Sequence, residues 1–460
     1  MRFWIYTLGC PKNEVDGEGL SWVLMEAGHE PASSPDEADI VVVNTCGFIE
    51  EARRESLEVL REAVALKVAD TALLTSGRHN RLSGGDANGA KMVIAAGCLA
   101  ERYGDRLSKE VHGIDAILGT RRWAEAARLV EQVRRDERPC WTGAGEEPAR
   151  IDRLTTSPSA YVKIADGCNA GCTFCAIPSI KGTYRSRPMT AIVDEIRRLA
   201  EKGIKEVILI AQDTTAYGRD LGLREGLAEL LDTIVQQVPE LPWIRLLYAY
   251  PQFITPRLLE TMARHRQVLR YVDLPLQHAH PEVLKRMGRP HGDPRELIKR
   301  LRAALPEVAL RTTFIVGFPG ETEEEFRTLL DFVEDTRFDR VGVFTYSAEE
   351  GTAAATMPGQ VPEKVKRRRY DRAMRLQQKI SLELNRQWVG RSLDVLIEAR
   401  VEAGDSGGTG TLGQWVGRSF RDAPEIDGLV FVKGHAAIGQ IVPVHITGAM
   451  EYDLVGKVVR

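Results

Sequence analysis

The sequence predicts an α/β protein in three parts: an N-terminal Rossmann-like parallel-sheet domain, a central partial (β/α)6 barrel and a small C-terminal antiparallel β-barrel. Three observations carry this. Buried-type apolar runs alternate with helical periodicity through residues 1–135. Strand and helix signals then repeat six times from Ala160 onward. After residue 385 the pattern changes to short alternating runs split by Gly-rich turns. The boundaries follow as 1–135, a linker over 136–153, 154–384 and 385–460.

In the first part, the apolar run Phe3–Tyr6 leads into TLGCPKNEVD (Thr7–Asp16). DIVVVNTCGF (Asp39–Phe48) and KMVIAAGC (Lys91–Cys98) are further strand candidates, ending at Cys46 and Cys98. EARRESLEVLREAVAL (Glu51–Leu66) has helical period with a charged outer face. LTSGRHNRLSGGDANG (Leu74–Gly89) is rich in Gly, Ser and Asn and reads as a long exposed loop.

Cys10, Cys46 and Cys98 thus each close a predicted strand, and each has a glycine neighbour (Gly9, Gly47, Gly97). Parallel strands bring their C-terminal ends to one edge, where open α/β sheets bind ligands. One such cysteine reads as a small buried hydrophobe. Three at matching ends read as a convergent set, with glycine allowing the close backbone approach. Cys140 lies in the linker RRDERPCWTGAGEEPAR (Arg134–Arg150), and no metal role is expected of it.

The barrel strands are read as YVKIA (161–165), EVILIAQ (206–212), WIRLLYA (243–249), RYVDLPL (270–276), ALRTTFIVG (309–317) and RVGVFTY (340–346). Helices such as Thr190–Lys202 and Glu321–Thr336 lie between them. A basic helix, PEKVKRRRYDRAMRLQQKISLELNRQ (362–387), leads out of the barrel, and its charge reads as a solvated face rather than a nucleic-acid site. The terminal part, from residue 386, has eight Lys/Arg against nine Asp/Glu. A barrel reading RNA wants a basic face.

Composition limits the class. The chain has 460 residues, 43% of them apolar and 28% charged, with a net charge of −3. That balance is globular and gives no general attraction to nucleic acid or to anionic lipid. No apolar run approaches the roughly 18 residues that span a bilayer. The N-terminus lacks a secretory pattern, so the expectation is a cytoplasmic protein without membrane contact. Seven cysteines, an odd number, argue against a disulfide framework.

The densest chemistry is DGCNAGCTFCAIP, with Cys168, Cys172 and Cys175 spaced C-x3-C-x2-C directly after the first barrel strand. Thiolates suit iron–sulfur clusters or zinc. A structural zinc site wants four ligands, usually from paired motifs, whereas three compact thiolates leave one iron of a cubane open. Phe174 places an aromatic beside the last thiolate. At other strand ends stand Gln212 and Asp213 after the second and Gln277 after the fourth, while Arg311 opens the fifth. Strand ends are where barrel cofactors are contacted, and a guanidinium pairs with a carboxylate in bidentate fashion.

This segment resembles the radical S-adenosylmethionine signature. The whole chain, with its three N-terminal cysteines and terminal barrel, is similar to the methylthiotransferase family. The resemblance implies two [4Fe-4S] clusters and S-adenosylmethionine. One cluster would sit on Cys168, Cys172 and Cys175. An auxiliary cluster for sulfur insertion would sit on Cys10, Cys46 and Cys98 through LGCPKN, NTCGFI and AAGCLA. Phe174, Gln212, Asp213, Gln277 and Arg311 become cofactor contacts, and Arg311 a partner for the methionyl carboxylate. The terminal part matches a TRAM domain that engages substrate.

Within the family, GCPKN rather than GCQMN, together with PLQHAHPEVLKRMGRP (275–290), RTTFIVGFPGETEEEF (311–326) and GRSFRDAPEIDG (417–428), is similar to the branch that methylthiolates the β-carbon of an aspartate in ribosomal protein S-twelve. That implies S-twelve, a reductant protein and a sulfur donor as partners. The alternative within the family is an adenosine in tRNA. A third reading, from another class, is a nonenzymatic iron–sulfur or zinc protein that binds RNA. The chain departs from the family pattern in loop 74–89, at His280 and in loop 404–413.

Overall fold

The computed structural model describes residues 1–75, 91–146, 151–153, 157–289, 292–401 and 413–459. The departures read in loops 74–89 and 404–413 therefore fall almost wholly outside the described residues. The chain packs as two units, each with its own core.

The first unit is built on a six-stranded parallel sheet: β1 (Arg2–Thr7), β2 (Glu30–Pro31), β3 (Ile40–Thr45), β4 (Met92–Gly97), β5 (Ala116–Gly119) and β6 (Cys140–Trp141), in the order β2-β1-β3-β4-β5-β6. Alternation along the strands splits the core in two. Val41, Val43, Val93 and Ala95 face Leu57, Leu60 and Leu99 on one side. Ile40, Val42, Ile94 and Ala96 face Leu20, Leu24 and Leu129 on the other. Helix Glu50–Thr75 runs further than the expected Glu51–Leu66.

The expected linker is partly structured. Cys140 and Trp141 extend the sheet at its edge, with Cys140 in register with Ile117. Two residues have no periodicity to read, which is why the strand was invisible in the sequence. Cys140 is half-buried there, and burial, followed by a bond to Asp105, pushes its thiol up to about 12.

The second unit begins with β7 (Ser159–Lys163) and a short antiparallel pair of two-residue strands, β8 (Ala165–Asp166) and β9 (Arg185–Ser186). Then come β10 (Glu206–Ile210), β11 (Trp243–Leu246), β12 (Tyr271–Asp273), β13 (Ala309–Val316) and β14 (Arg340–Thr345). They form two parallel three-stranded sheets, β11-β10-β7 and β12-β13-β14. Single backbone bonds join the two, from Ala249 N–H to the Asp273 carbonyl and from Leu269 N–H to that of Ile244. Six parallel strands of a partial barrel result, as the sequence predicts.

The unit ends in a closed five-stranded barrel of β15 (Ser392–Arg400), β16 (Trp415–Ser419), β17 (Val430–Lys433), β18 (Ile441–Ala449) and β19 (Leu454–Val458), ordered β15-β16-β17-β19-β18. One feature corrects the expectation of a fully antiparallel barrel: β17 and β19 pair in parallel. No helix among the described residues is long and apolar enough to cross a membrane.

The terminal barrel meets the N-terminal ends of the central strands through buried charges. Glu206, opening β10, accepts from Arg245 Nε at 2.7 Å and from Arg418 Nη2 at 2.5 Å. Arg245 also donates to the carbonyls of Ser419 and Phe420. Arg340 pairs with Asp422 at 2.6 Å and Arg421 with Asp339 at 2.9 Å. The opposite, C-terminal ends of the central strands remain for chemistry.

Candidate functional site

In the first unit the three distant cysteines arrive at one sheet edge. Cys10 precedes helix Pro11–Glu26, Cys46 follows β3, and Cys98 opens the helix after β4. Their thiolates are close enough to repel: Cys10 raises the pKa of both Cys46 and Cys98, and Cys46 that of Cys98. Burial is the larger cause for both, pushing Cys98 up to about 12.

The neighbouring glycines do steric work. A Cβ at Gly9 would stand 2.6 Å from the Cβ of Cys46 and 2.8 Å from its sulfur, and the residue has φ +95°. At Gly97 (φ +90°) a Cβ would meet Thr45 O at 2.6 Å. Only glycine permits this approach.

Side chains then fix the ligand-bearing turns. Ser56 Oγ accepts from Cys46 N–H and donates to the Cys46 carbonyl. Asn13 of the PKN stretch is buried, donates to the carbonyls of Leu8 and Thr45, and turns Oδ1 toward Cys98 Sγ at 3.7 Å.

The second motif divides between the units. Gly167–Asn169 and Cys175–Thr183 pack with the first, and Ala170–Phe174 with the second. In the first unit, helix Ile177–Lys181, which begins two residues after Cys175, lays Ala176 and Ile180 against Cys98. Its last residue, Lys181, is 3% exposed. The ammonium pairs with Asp16 at 3.1 Å, donates to Thr120 Oγ1 at 2.6 Å, and opposes the rise in the Cys98 pKa. Nothing in the sequence marked Lys181, because its partners lie far away in the chain.

In the second unit the turn 170–174 is braced by residues 286–289. Thr173 N–H donates to the Met287 carbonyl and Thr173 Oγ1 to that of Arg286. Arg289 reaches Cys172 Sγ at 3.6 Å, donates to the Pro275 carbonyl, and lies 4.2 Å from the ring centre of Tyr250. The quoted stretch 275–290 contained Arg289, but only folding shows what it touches. Phe174 packs with Val283, Met287, Phe318 and Tyr346.

The strand-end residues separate into kinds. Gln212 donates to Asp166 at 3.1 Å and keeps Oε1 buried with no hydrogen bond among the described residues. Asp213 caps the turn Thr214–Ala216, accepting from Ala216 N–H and Thr215 Oγ1. Burial raises its pKa to about 6. Gln277, after β12, has φ +72°, and Tyr248, after β11, has φ +63°. Strained backbone of this kind gathers at functional sites.

Arg311, expected as a cofactor contact, makes its ion pairs elsewhere. It stands early in β13, pairs with Asp273 at 2.8 Å and with Asp427 at 3.4 Å, and so belongs to the joint with the terminal barrel. Its guanidinium is committed there, at the opposite end of the strand from the cysteine turn.

Fit to iron–sulfur groups can be judged from this geometry. Among the described residues, no three His, Cys, Asp or Glu side chains converge tightly enough for a single metal ion. Cys10, Cys46 and Cys98 are nonetheless mutually coupled thiols in a glycine-lined cradle. That donor set suits a cluster, which spreads its thiolates over several irons.

Comparison with known proteins follows the same divisions. Residues 2–119 match the uncharacterized protein family UPF0004, residues 162–333 the Radical SAM superfamily and residues 389–459 the TRAM domain. The chain is 48% identical over 486 residues to the ribosomal protein uS12 methylthiotransferase RimO of Roseiflexus sp. (strain RS-1), covering 100% of this chain and 98% of that protein. It is 45% identical over 478 residues to the protein of the same name from Chloroflexus aurantiacus, with 99% of each covered. Among solved structures, the radical S-adenosylmethionine methyltransferase TsrM from Kitasatospora setae, with cobalamin and a [4Fe-4S] cluster bound, is similar in fold. The TM-score is 0.55 at 16% identity, covering 88% of this chain and 81% of that one.

Proposed function

Because the chain belongs to the RimO family of ribosomal protein uS12 methylthiotransferases, we propose that it methylthiolates the β-carbon of an aspartate in uS12 by radical S-adenosylmethionine chemistry. Cys168, Cys172 and Cys175 hold one [4Fe-4S] cluster, which binds S-adenosylmethionine, and Cys10, Cys46 and Cys98 hold the auxiliary cluster. The observation that carries this reading is the arrival of three distant, mutually coupled thiols at one sheet edge, in a chain that also carries C-x3-C-x2-C. The functional division is 1–135 for the auxiliary cluster, 154–384 for the radical core and 385–460 for the TRAM domain. The protein works in the cytoplasm with a reductant protein and a sulfur donor.

When bound, these groups supply reductive cleavage of a sulfonium, removal of hydrogen from an unactivated carbon and sulfur insertion. The chain's own residues hold and shield. Arg289 sets the Cys172 thiol and places a positive charge beside it. Phe174, buttressed by Phe318 and Tyr346, closes one side of the turn to water. Gln212, Asp213 and Gln277 present polar groups from the strand ends. At the auxiliary site, Cys46 and Cys98 are buried and Cys10 is partly exposed, and the buried ammonium of Lys181 offsets the negative charge that thiolates would gather at Cys98.

Two measurements test the reading. Anaerobic reconstitution should give about eight irons per chain, four for each cluster. Intact-mass analysis of uS12 from cells lacking the gene should lose one methylthio increment, restored by the wild-type chain. A methylthio loss from bulk tRNA with uS12 unchanged would refute the assignment.

A further inference from the structure

Helix Glu363–Arg386 carries a feature that its net composition hides. Lys364, Arg368, Arg375, Lys379 and Arg386 are all exposed. At 3.6 residues per turn they fall within an arc of about 60°, along about 33 Å of axis. None of the five has a carboxylate within ion-pair distance among the described residues. The nearby acids make their ion pairs with other cations, although Glu383 also feels Lys379 and Arg386, and Glu323 feels Arg368, at longer range. Glu363 pairs with Lys366, Asp371 with Arg367, Glu323 with Arg372, and Glu383 with Arg337. The buried face is fixed to the barrel: Gln377 donates to the Phe338 carbonyl and Ser381 to that of Asp339. The stripe therefore cannot turn inward.

Its ends matter as much as its charge. Near the first end, Lys366 donates to the carbonyl of Tyr346, just past the C-terminal end of β14, on the side where the strand ends gather. Near the other, Asn385 donates to the Met450 carbonyl in the terminal barrel. A straight row of cations, none of them in an ion pair among the described residues, thus leads from the reactive edge of the central barrel to the TRAM domain. That domain itself, from residue 386, has one more acid than base. The sequence reads this charge run as a solvated face rather than a nucleic-acid site, and the structure aligns five of its cations in one narrow arc.

We propose that this stripe docks on the phosphodiester backbone of ribosomal RNA, so that the enzyme takes uS12 in the assembled small subunit rather than as free protein. The inference rests on the uS12 reading above. A linear polyanion fits because the cations follow one another at alternating gaps of about one and about two helical turns, and each can meet a phosphate. An acidic electron-donor protein fits less well: such transient redox contacts are compact, and this row runs away from the reactive edge.

The test uses the full chain with both clusters and dithionite as the reductant. The variant is Arg368→Gln/Arg375→Gln/Lys379→Gln, and kcat/KM is measured on small ribosomal subunits and on isolated uS12 between 50 and 200 mM salt (roughly the range over which phosphate contacts are felt). Three lost contacts, at about 0.7 each for a single strand, flatten the slope of log kcat/KM against log salt by about 2. At 0.1 M salt this is a loss of up to about 100-fold on subunits. Turnover of free uS12 should stay unchanged.

The charge-keeping variant Arg368→Lys/Arg375→Lys/Lys379→Arg should restore the subunit rate, and wild-type iron content shows that the fold is intact. Equal losses on both substrates, or no change on either, would overturn the proposal. So would a loss that appears only when a flavodoxin-type protein replaces dithionite. If the wild type modifies neither form of uS12, the functional reading fails instead.

Discussion

Removing Arg418 should unfasten the terminal barrel. This side chain is 1% exposed. It donates to both oxygens of Glu398, to the carbonyl of Asp422, to Ser159 Oγ and to Glu206. Arg418→Met leaves Glu206, itself fully buried, with one cation where it had two. Breaking a buried pair from one side costs about 3–5 kcal/mol.

The ionisation of Glu206 gives a second route to the magnitude. Burial alone would raise its pKa, but the charges of Arg245 and Arg418 overrule it and hold the group at about 2, against 4.5 ordinarily. That gap corresponds to about 3 kcal/mol. A depressed carboxylate stabilises the fold above pH 4.5, and this is lost as pH falls toward 2. Wild type should therefore soften in acid over that window, and Arg418→Met should soften at higher pH.

The assay is urea unfolding followed by tryptophan fluorescence, since Trp243 lies on one side of the joint and Trp388 and Trp415 lie in or beside the terminal barrel. The triple variant Glu206→Leu/Arg245→Met/Arg418→Met should recover at least about 1 kcal/mol over Arg418→Met, because the fully buried Arg245, whose ion-pair partner is Glu206, is then not left stranded either. A single-variant loss below about 1 kcal/mol, or no recovery in the triple, would refute the reasoning.

Other outcomes are expected. Cys172→Ala should abolish S-adenosylmethionine cleavage, whereas Cys46→Ala should keep cleavage and stop product formation; each should retain about four irons per chain. Full product from Cys46→Ala would remove the auxiliary site. Gly9→Ala puts a Cβ 2.6 Å from that of Cys46 at φ +95°. It should lower iron content toward that of Cys46→Ala without changing the circular dichroism spectrum. Asp213 is raised to about 6 by burial, so its ionisation costs stability as pH rises from 3.8 through 6. Asp213→Asn should thus melt higher than wild type at pH 7.5 and equally near pH 3, and an identical difference at both would contradict the assignment.

How much of this was legible varies by residue. Cys10, Cys46 and Cys98 were readable because strand direction alone sends their backbone positions to one edge. The six central strands were readable because each is a continuous buried run, accurate to a few residues. Lys181 and Arg289 were not, since each acts through contacts made across more than 60 positions of chain. The ion pairs of Arg311 were not legible for a related reason. Its strand was right, but its place near the N-terminal end of that strand directs it to Asp273 and Asp427. The β6 edge and the parallel pairing of β17 with β19 depend on neighbours rather than on local pattern.

The joint at Ser159 also bears on how the chain comes to fold. Arg418 meets a residue 259 positions earlier, so the first central strand acquires this partner only after that whole intervening stretch exists. Closures over such separations are slow to form. Until then Glu206 and Arg245 have each other but not Arg418 or the Ser419 and Phe420 carbonyls, and that end of the nascent barrel favours hydration. The terminal barrel thus acts as a late latch on the N-terminal ends of the central strands in its own unit.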